Sequence, residues 1–429
     1  MPLDASSLLD QEKPVKRLLT AHRIALDPRK EQSELFTQCA GIARFSWNWA
    51  LDRWQKAYAA RKLGSSLPSL SEAALRRDLN AIKAQEFPWM LRAPKGVPQQ
   101  AVKNLGSAFK AFFEGRARYP NFKARGRCRD SFRPDNGPGT FRIDGKRLKL
   151  PRIGWVRMHE ALRFGADLNP VMKSVIISRE ADRWFAAISV EIDHHAADLT
   201  GLPSCGVDLG ITHLATLSDG RKVAGPKSLR KNLKRLARLQ KAHARKMKGG
   251  KNRARSRLRV ARLHARIRNI RHDSLHKLTT MLSSEYSAIA IEDLNVRGMM
   301  ANRRLSRAIS DMGFFEFRRQ LTYKVARSGG RLVVADRFFA SSKTCYHCKE
   351  KVESLPLSVR FWACASCGAL NDRDLNASMN LRNLAGSEGS DACPVTACGV
   401  KGADAERGLD VKPVTVKQEL EYDQEKSDP

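Results

Sequence analysis

Four cysteines constrain this chain more than any other feature does. They stand as Cys345-x2-Cys348 and Cys364-x2-Cys367, with fifteen residues between the pairs. Two such pairs make two backbone knuckles whose thiolates can close a tetrahedral site with every position taken by protein, the spacing of a structural zinc ion. The stretch has too few apolar residues to fold on a core of its own. Zinc would replace that core, since structural zinc supplies roughly 10–16 kcal/mol of folding free energy in small peptides. His347, inside the first pair, reads as a bystander. Cys39, Cys128, Cys205, Cys393 and Cys398 have no comparable partners, and an odd total of nine cysteines points to a reducing compartment rather than a disulfide framework.

Just past the second pair, "NDRDLNASMNL" sets Asp372 and Asp374 at the entrance to a helix. Two other acids stand in unusual surroundings. Asp208 interrupts the β-rich run "CGVDLGITHLATL", where a charge would be buried without a partner unless a cation compensates it. Gly206 and Gly210 flank it and would let another backbone come close. Glu292 ends the apolar run "AIAI" in the same manner. Any one of these acids reads as an ordinary cap or turn residue. Together, two carboxylates from neighbouring strands and one from a helix N-terminus can converge as hard oxygen ligands for magnesium. Two such ions about 3.5–4 Å apart make an effective centre for phosphodiester hydrolysis.

Charge points to the partner. Against 44 Asp and Glu stand 78 Lys and Arg in 429 residues, a net charge of +34 that would destabilise a compact chain unless polyanions neutralise it. Nucleic acid is the expected polyanion. A membrane surface would favour a single amphipathic basic helix or a lipidation signal, and here the charge is spread along the chain. "MPLDASSLLDQEKPVKRL" has acids and no apolar segment, and no run approaches the roughly 18 residues that span a bilayer. The cytoplasm, with no membrane partner, is therefore the expected location.

The texture of the sequence changes twice. "VKRLLTAHRIAL" alternates as a strand, and the following "DPRKEQSELFTQCAGIARFSWNWAL" has helical spacing at Leu35, Cys39, Ile42, Phe45 and Trp49. Helices are also predicted at Ser71 to Ala84 and at Pro98 to Phe113. From Tyr119 a basic loop gives way to short β runs, "RLKLPRIGWVRM" and "SVIISREADRWFAAISVEI", the second turning at "EADRW". These runs are expected to join the N-terminal strand in a small barrel that the helices interrupt. After Leu202, strands alternate with helices, as in an α/β domain. "SCGVDLGITHLATLSDGRKVAG" predicts two strands, and "RRLSRAISDMGFFEFRRQLTYKVARSGG" predicts one helix ending at a glycine pair. Between them, Lys227 to Arg271 carries no Asp or Glu and breaks at "KGGKN". A purely structural helical hairpin would mix its signs, so this one is expected to contact phosphates, with Lys231, Lys234 and Arg235 among its cations.

The motifs "GVDLGITHLATLSDG", "IAIEDLNVRGM", "SSKTCYHC…WACASCG" and "DRDLNASMN" resemble the three RuvC-type nuclease motifs and the zinc ribbon of the OrfB/TnpB proteins of insertion sequences, relatives of type V CRISPR effectors. "ARFSWNWAL", "SAFKAFFEGRARYPNFKARGRCRDSFR", "LKLPRIGWVRM" and, in the tail, "ACGVKGA" and "VKPVTVKQE" also resemble that family. The resemblance implies an α/β RNase H-like (RuvC) nuclease domain at 201–340 and 369–385 with a zinc ribbon inserted at 341–368. It implies a wedge-like β-barrel at 15–27 and 119–200 that holds an all-α recognition module at 28–118. A disordered arm at 1–14 and a disordered tail at 386–429 complete the division.

The implied activity is RNA-guided, magnesium-dependent cleavage of double-stranded target DNA beside a short flanking motif, in the cytoplasm or nucleoid of a prokaryote. Guide RNA from the mobile element would select the sequence. Asp208, Glu292 and Asp374 would hold two Mg2+, the family motif choosing Asp374 over Asp372, and Cys345, Cys348, Cys364 and Cys367 would hold one Zn2+. Ser378 stands where many members have alanine. The alternatives are a non-cleaving RNA-guided regulator and a strand-transferring transposase; no helix-turn-helix for recognising element ends is evident. Arg44 and Asn48, one turn apart on a helix, and Lys123, Arg125 and Arg127 in the basic loop are expected on a nucleic-acid face. A zinc-closed insert directly before Asp374 would fix where its helix starts, or would simply fold the insert.

Overall fold

Alternation of apolar and polar residues produces β1 (Lys16–Asp27), whose Ile24 and Leu26 point into the core. The computed structural model describes residues 16–63, 71–194, 196–356, 358–386 and 393–394. The predicted arm at 1–14, nearly all of the tail beyond 386 and the family-like motifs in it lie outside the described residues. After β1 comes α1 (Lys30–Lys62), one uninterrupted helix of 33 residues that buries Phe36, Cys39, Ala40, Trp47, Ala50 and Leu51. It is followed by α2 (Glu72–Ile82), capped by the Ser71 hydroxyl accepting from Ala74 N at 3.1 Å, and by α3 (Gly96–Phe113).

The β runs form β2 (Ser131–Phe132), β3 (Arg142–Asp144), β4 (Arg147–Leu150), β5 (Gly154–Met158), β6 (Val171–Glu180) and β7 (Arg183–His194). With β1 they make one seven-stranded antiparallel sheet in the order β2-β6-β7-β1-β5-β4-β3. The hydrogen-bonded order is open, with β2 and β3 as its edges, so the expected barrel is not closed by a ladder among the described residues. "EADRW" turns as expected, with Ala181 at φ 52° between β6 and β7. Helices and sheet share a single core: Phe36 of α1 packs against Phe132 and Trp184 at centroid distances of 5.6 and 5.2 Å.

The second half is built on β8 (Ser204–Asp208), β9 (Ala215–Leu217) and β10 (Lys222–Val223). Where two strands were predicted, a turn at Gly220, φ 90°, divides the second run into β9 and β10. The basic hairpin is α4 (Ser228–Ala244) and α5 (Lys251–Glu285), joined by a seam of Leu236, Val260, Leu263 and Ile267. Next come β11 (Ala288–Glu292), α6 (Val296–Ala301), α7 (Ser306–Met312), α8 (Phe314–Ser328) and β12 (Arg331–Ala335). The predicted single helix is broken because Gly313 takes a left-handed φ of 74°, ending α7 and starting α8. Asp311 of α7 is buried and accepts from Leu229 N at 2.9 Å, Arg230 N at 3.0 Å and Arg271 Nη2 at 3.2 Å. One carboxylate thus caps α4 and pins both arms of the hairpin.

The chain then forms β13 (Phe361–Ala363), β14 (Leu370–Asp372), α9 (Arg373–Gly386) and β15 (Cys393–Pro394). The larger sheet of this half runs β10-β9-β8-β11-β12-β15, with β8, β11 and β12 parallel. β15 falls in the segment read as disordered and pairs with the edge of β12. α5 and α8 cover one face of this sheet and α9 the other, so β11 is apolar on both faces. α9 comes close because Gly206 has no side chain: a Cβ there would lie 1.9 Å from Ser378 O and 2.4 Å from Arg382 N. No helix among the described residues is long and apolar enough to cross a membrane.

Gly206→Ala must push α9 off β8. We expect a loss of about 1–3 kcal/mol or more, the usual range for overpacking, read as a lower midpoint in urea unfolding with an unchanged slope.

Candidate active site

Parallel pairing places two of the three acids. Ile291 lies opposite Val207, so the next residues, Glu292 and Asp208, end neighbouring strands on the same edge of the sheet. The third, Asp374, sits in the first turn of α9, which crosses β8 at Gly206. Their convergence is electrostatic as well as topological. Desolvation, then repulsion from Glu292 and Asp374, pushes the Asp208 carboxyl well above the usual carboxylate range, against the pull of Arg373 and Arg360.

The other acids have partners. Ser341 Oγ donates to Glu292 Oε1, and Arg360 Nη1 donates to Asp374 Oδ1 at 3.1 Å. Asp372 is engaged elsewhere: its Oδ1 accepts from Asp374 N at 3.0 Å and Leu375 N at 3.1 Å, and its Oδ2 from Lys222 Nζ at 2.6 Å. It caps α9, while the charge of Asp374 is felt at Asp208. The three carboxylates are less tightly drawn together than the four cysteines, which among the described residues form the only group of three or more metal-ligating side chains with all donor atoms within 4.8 Å.

The cysteine geometry fits zinc. Sγ–Sγ separations are 3.8 Å for Cys345–Cys367 and 3.5 Å for Cys348–Cys364. A tetrahedron with metal–sulfur bonds of about 2.3 Å has edges of about 3.8 Å. Burial opposes ionisation of Cys345, but the backbone N–H groups of Cys348 and His347 overcome it and bring that thiol down to about 6. Cys348 is pushed up to about 12: the Glu350 N–H favours its thiolate, and burial and the neighbouring sulfurs outweigh it. A cluster whose sulfurs oppose ionisation of Cys348 suits a dication.

This knuckle is fastened to α9. Asn380 Nδ2 donates to Ser341 O at 2.9 Å and Thr344 O at 2.7 Å. Asn376 Nδ2 donates to Thr344 O at 2.8 Å, and its Oδ1 accepts from Tyr346 N, next to Cys345, at 2.8 Å. Ser341, Asn376 and Asn380 are all buried. Arg373 adds a bond of 2.6 Å to Pro356 O. The zinc-type insert therefore does more than fold itself: it grips the helix carrying Asp374 and, through Ser341, the side chain of Glu292. Sequence reasoning missed Ser341, Arg360, Asn376 and Asn380. The i, i+4 spacing of the two asparagines was the one available sign that they share a face.

The expected nucleic-acid residues divide. Arg44 and Asn48 are taken up by protein. Arg44 pairs with Asp130, and Asn48 exchanges bonds with Lys123, accepting from its N at 2.7 Å and donating to its O at 2.9 Å. With Trp47 Nε1 donating to Asn121 O at 3.0 Å, they anchor the basic loop to α1. The Lys123 ammonium lies 3.6 Å from the centre of the Trp47 ring. Arg125, Arg127, Lys231, Lys234 and Arg235 are exposed.

Comparison with known proteins follows the same outline. A family model for OrfB of the IS605 type, described as "Probable transposase", matches residues 187–303, and one described as "Cas12f1-like, TNB domain" matches 314–381. A third, described as "Helix-turn-helix domain", matches 18–62, where the structure has β1 and the unbroken α1. A protein of Streptomyces pristinaespiralis is 38% identical over 384 residues, 88% of this chain and 92% of its own length. InsQ of Escherichia coli K12 is 33% identical over 385 residues, 85% of this chain and 91% of its own. Both are provisionally named RNA-guided DNA endonucleases. In fold, the chain resembles a protein in a cryo-EM structure of a Cas12f1-sgRNA-target DNA complex, with a TM-score of 0.52 over 83% of each chain at 13% identity.

Two measurements check the cysteine cluster and its grip. Zinc released by a mercurial from the purified protein should approach about one ion per chain, and Cys348→Ser should lower it. Asn380→Ala should keep the zinc but leave buried carbonyls short of a donor, costing about 1–3 kcal/mol in denaturant unfolding.

Proposed function

This chain belongs to the OrfB/TnpB family of insertion-sequence proteins, and we propose that it is an RNA-guided DNA endonuclease with one nuclease centre at Asp208, Glu292 and Asp374. The observation that carries the reading is the placement of Asp208 and Glu292 at the ends of neighbouring parallel strands, with Asp374 in the first turn of the helix that crosses Gly206, in a protein of net charge +34. The antiparallel β10-β9-β8 run continuing into parallel β11 and β12 supports an RNase H-like, RuvC-type domain at 201–340 and 369–385. The four-cysteine knuckle supports a zinc ribbon at 341–368. By the same reading, 15–27 and 119–200 form the wedge, 28–118 the recognition module, and the bound partners are an element-derived guide RNA and target double-stranded DNA. The names of the relatives support this activity.

The donor set fits magnesium: three carboxylates offer hard oxygens, and a raised Asp208 is relieved by a cation. Bound there, two magnesium ions would supply positive charge for activating water and for stabilising the leaving oxygen. The chain's own residues orient the ligands. Asp208 is held by its strand, Glu292 by the Ser341 hydroxyl and Asp374 by the α9 first turn. Arg360 balances the Asp374 charge from the zinc-ribbon side. Outside the centre, the protein reads duplex shape and a short flanking motif, and guide pairing selects sequence.

The test is cleavage of a plasmid carrying a guide-matched site by protein purified with co-expressed element RNA. Cutting should require magnesium and fall more than about 100-fold in Asp208→Asn. Specific binding without cutting by the unsubstituted protein would point to a regulator, and joining of element ends to strand transfer.

The same residue sets a pH dependence. An acid whose folded-state affinity for its proton is raised contributes stability at low pH that is lost as pH rises from the ordinary carboxylate range through its folded value. In EDTA, Asp208→Asn should therefore melt higher than the parent at neutral pH, with the difference shrinking toward pH 4, as read by differential scanning calorimetry.

A further inference from the structure

A cleft of about 300 Å³ opens beside Glu292. Leu209, the neighbour of Asp208, and Glu292 itself form part of its wall, and Leu294, Val296 and Phe315 line it with apolar surface. That volume is at the lower end of ligand-binding clefts. Phe315 stands apart from its helix neighbours: it is 71% exposed, while Phe314 and Phe317 are 2% and 0% exposed. α8 therefore packs without the Phe315 ring. The rim is cationic. Arg318 and Arg337 both pair with Asp293, so two guanidiniums face one carboxylate, and exposed Arg297 makes no ion pair with the described residues. An apolar slot with an unpacked aromatic ring and surplus guanidinium charge is the chemistry that holds an unstacked base and its phosphate.

We propose that this cleft seats a nucleobase of the DNA strand being cut, stacked on Phe315, with Arg297 on an adjacent phosphate. A paired base keeps both faces in the duplex stack, so only a nucleotide drawn out of it can enter. Seating that base beside Glu292 sets which phosphodiester reaches the three acids. The proposal rests on the nuclease reading above and adds a substrate contact to it.

The test is equilibrium binding of the full chain to a single-stranded oligodeoxynucleotide containing 2-aminopurine, in EDTA so that nothing is cut. The parent should quench the probe. Phe315→Leu should lose the quenching and bind about tenfold more weakly, as expected for one lost stacking contact, with an unchanged melting temperature. Phe315→Trp should restore both. An abasic residue at the probe position should weaken binding to the parent but not to Phe315→Leu. Equal quenching and affinity in the parent and Phe315→Leu would overturn the proposal, as would quenching seen only with the oligoribonucleotide. Because the measurement needs no cutting, the two readings fail separately: failure of guided cleavage would remove the nuclease reading and with it the assignment of the base to a strand being cut, while normal cleavage with unaltered quenching in Phe315→Leu would remove only the base subsite.

Discussion

The position of α9 is the constraint on which the rest depends. One of its faces lies directly on the backbone of β8, because residue 206 is glycine. From another face, Asn376 and Asn380 bind the carbonyls of Ser341 and Thr344 at the root of the cysteine knuckle. Each such bond is worth only about 0.5–1.5 kcal/mol net. Their effect is geometric: the helix that starts at Arg373 has little freedom to slide or rotate, so Asp374 arrives at a set height beside Asp208. Ser341 extends the same reference frame to Glu292. A cysteine cluster closed by a cation would keep the root of the knuckle in one conformation, which explains why a metal-type motif and an acidic motif lie next to each other in the chain.

A second theme is how a chain with so much positive charge uses its acids. Many are placed at junctions. Asp130 receives Arg44 from α1, Glu180 receives Arg23 and Arg268, Asp182 receives Arg262, and Asp311 receives Arg271 together with the start of α4. These acids tie the helical hairpin to the core and to the β6–β7 turn while leaving exposed cations such as Lys231, Lys234 and Arg235 available to phosphate. Asp208, Glu292 and Asp374 go the other way. Glu292 and Asp374 bring negative charge toward the buried Asp208 instead of neutralising it, which supports the proposed cation-binding centre.

Much of this was legible because local chemistry carried it. Cysteine spacing indicated the cluster, and glycines around a strand acid indicated close backbone approach, which Gly206 shows and Gly210, with His213 O at 3.1 Å from a built Cβ, shows more mildly. Arg44 and Asn48 were harder to read. Helical spacing revealed that they share a face, but not that the loop containing Asn121, Lys123 and Asp130 covers it. Gly313 likewise divides a segment whose apolar pattern runs on unbroken, because a left-handed residue redirects the axis without altering composition. The helical module and the β-sheet, separate by texture, meet in one core around Phe36 and Trp184.

By itself the sequence determined most element types, the four zinc-type cysteines, the polyanionic partner class and the acidic positions worth attention, since each follows from residue identity, spacing or summed charge; the preference for Asp374 over Asp372 came from the family resemblance. Only the tertiary structure decided that Asp372 is a helix cap, that Ser341 and Arg360 hold two of the acids, and that Phe315 is left uncovered beside them. Those outcomes depend on parallel strand register and on what packs against each face, and long-range contacts of that kind leave no periodic trace in the order of residues.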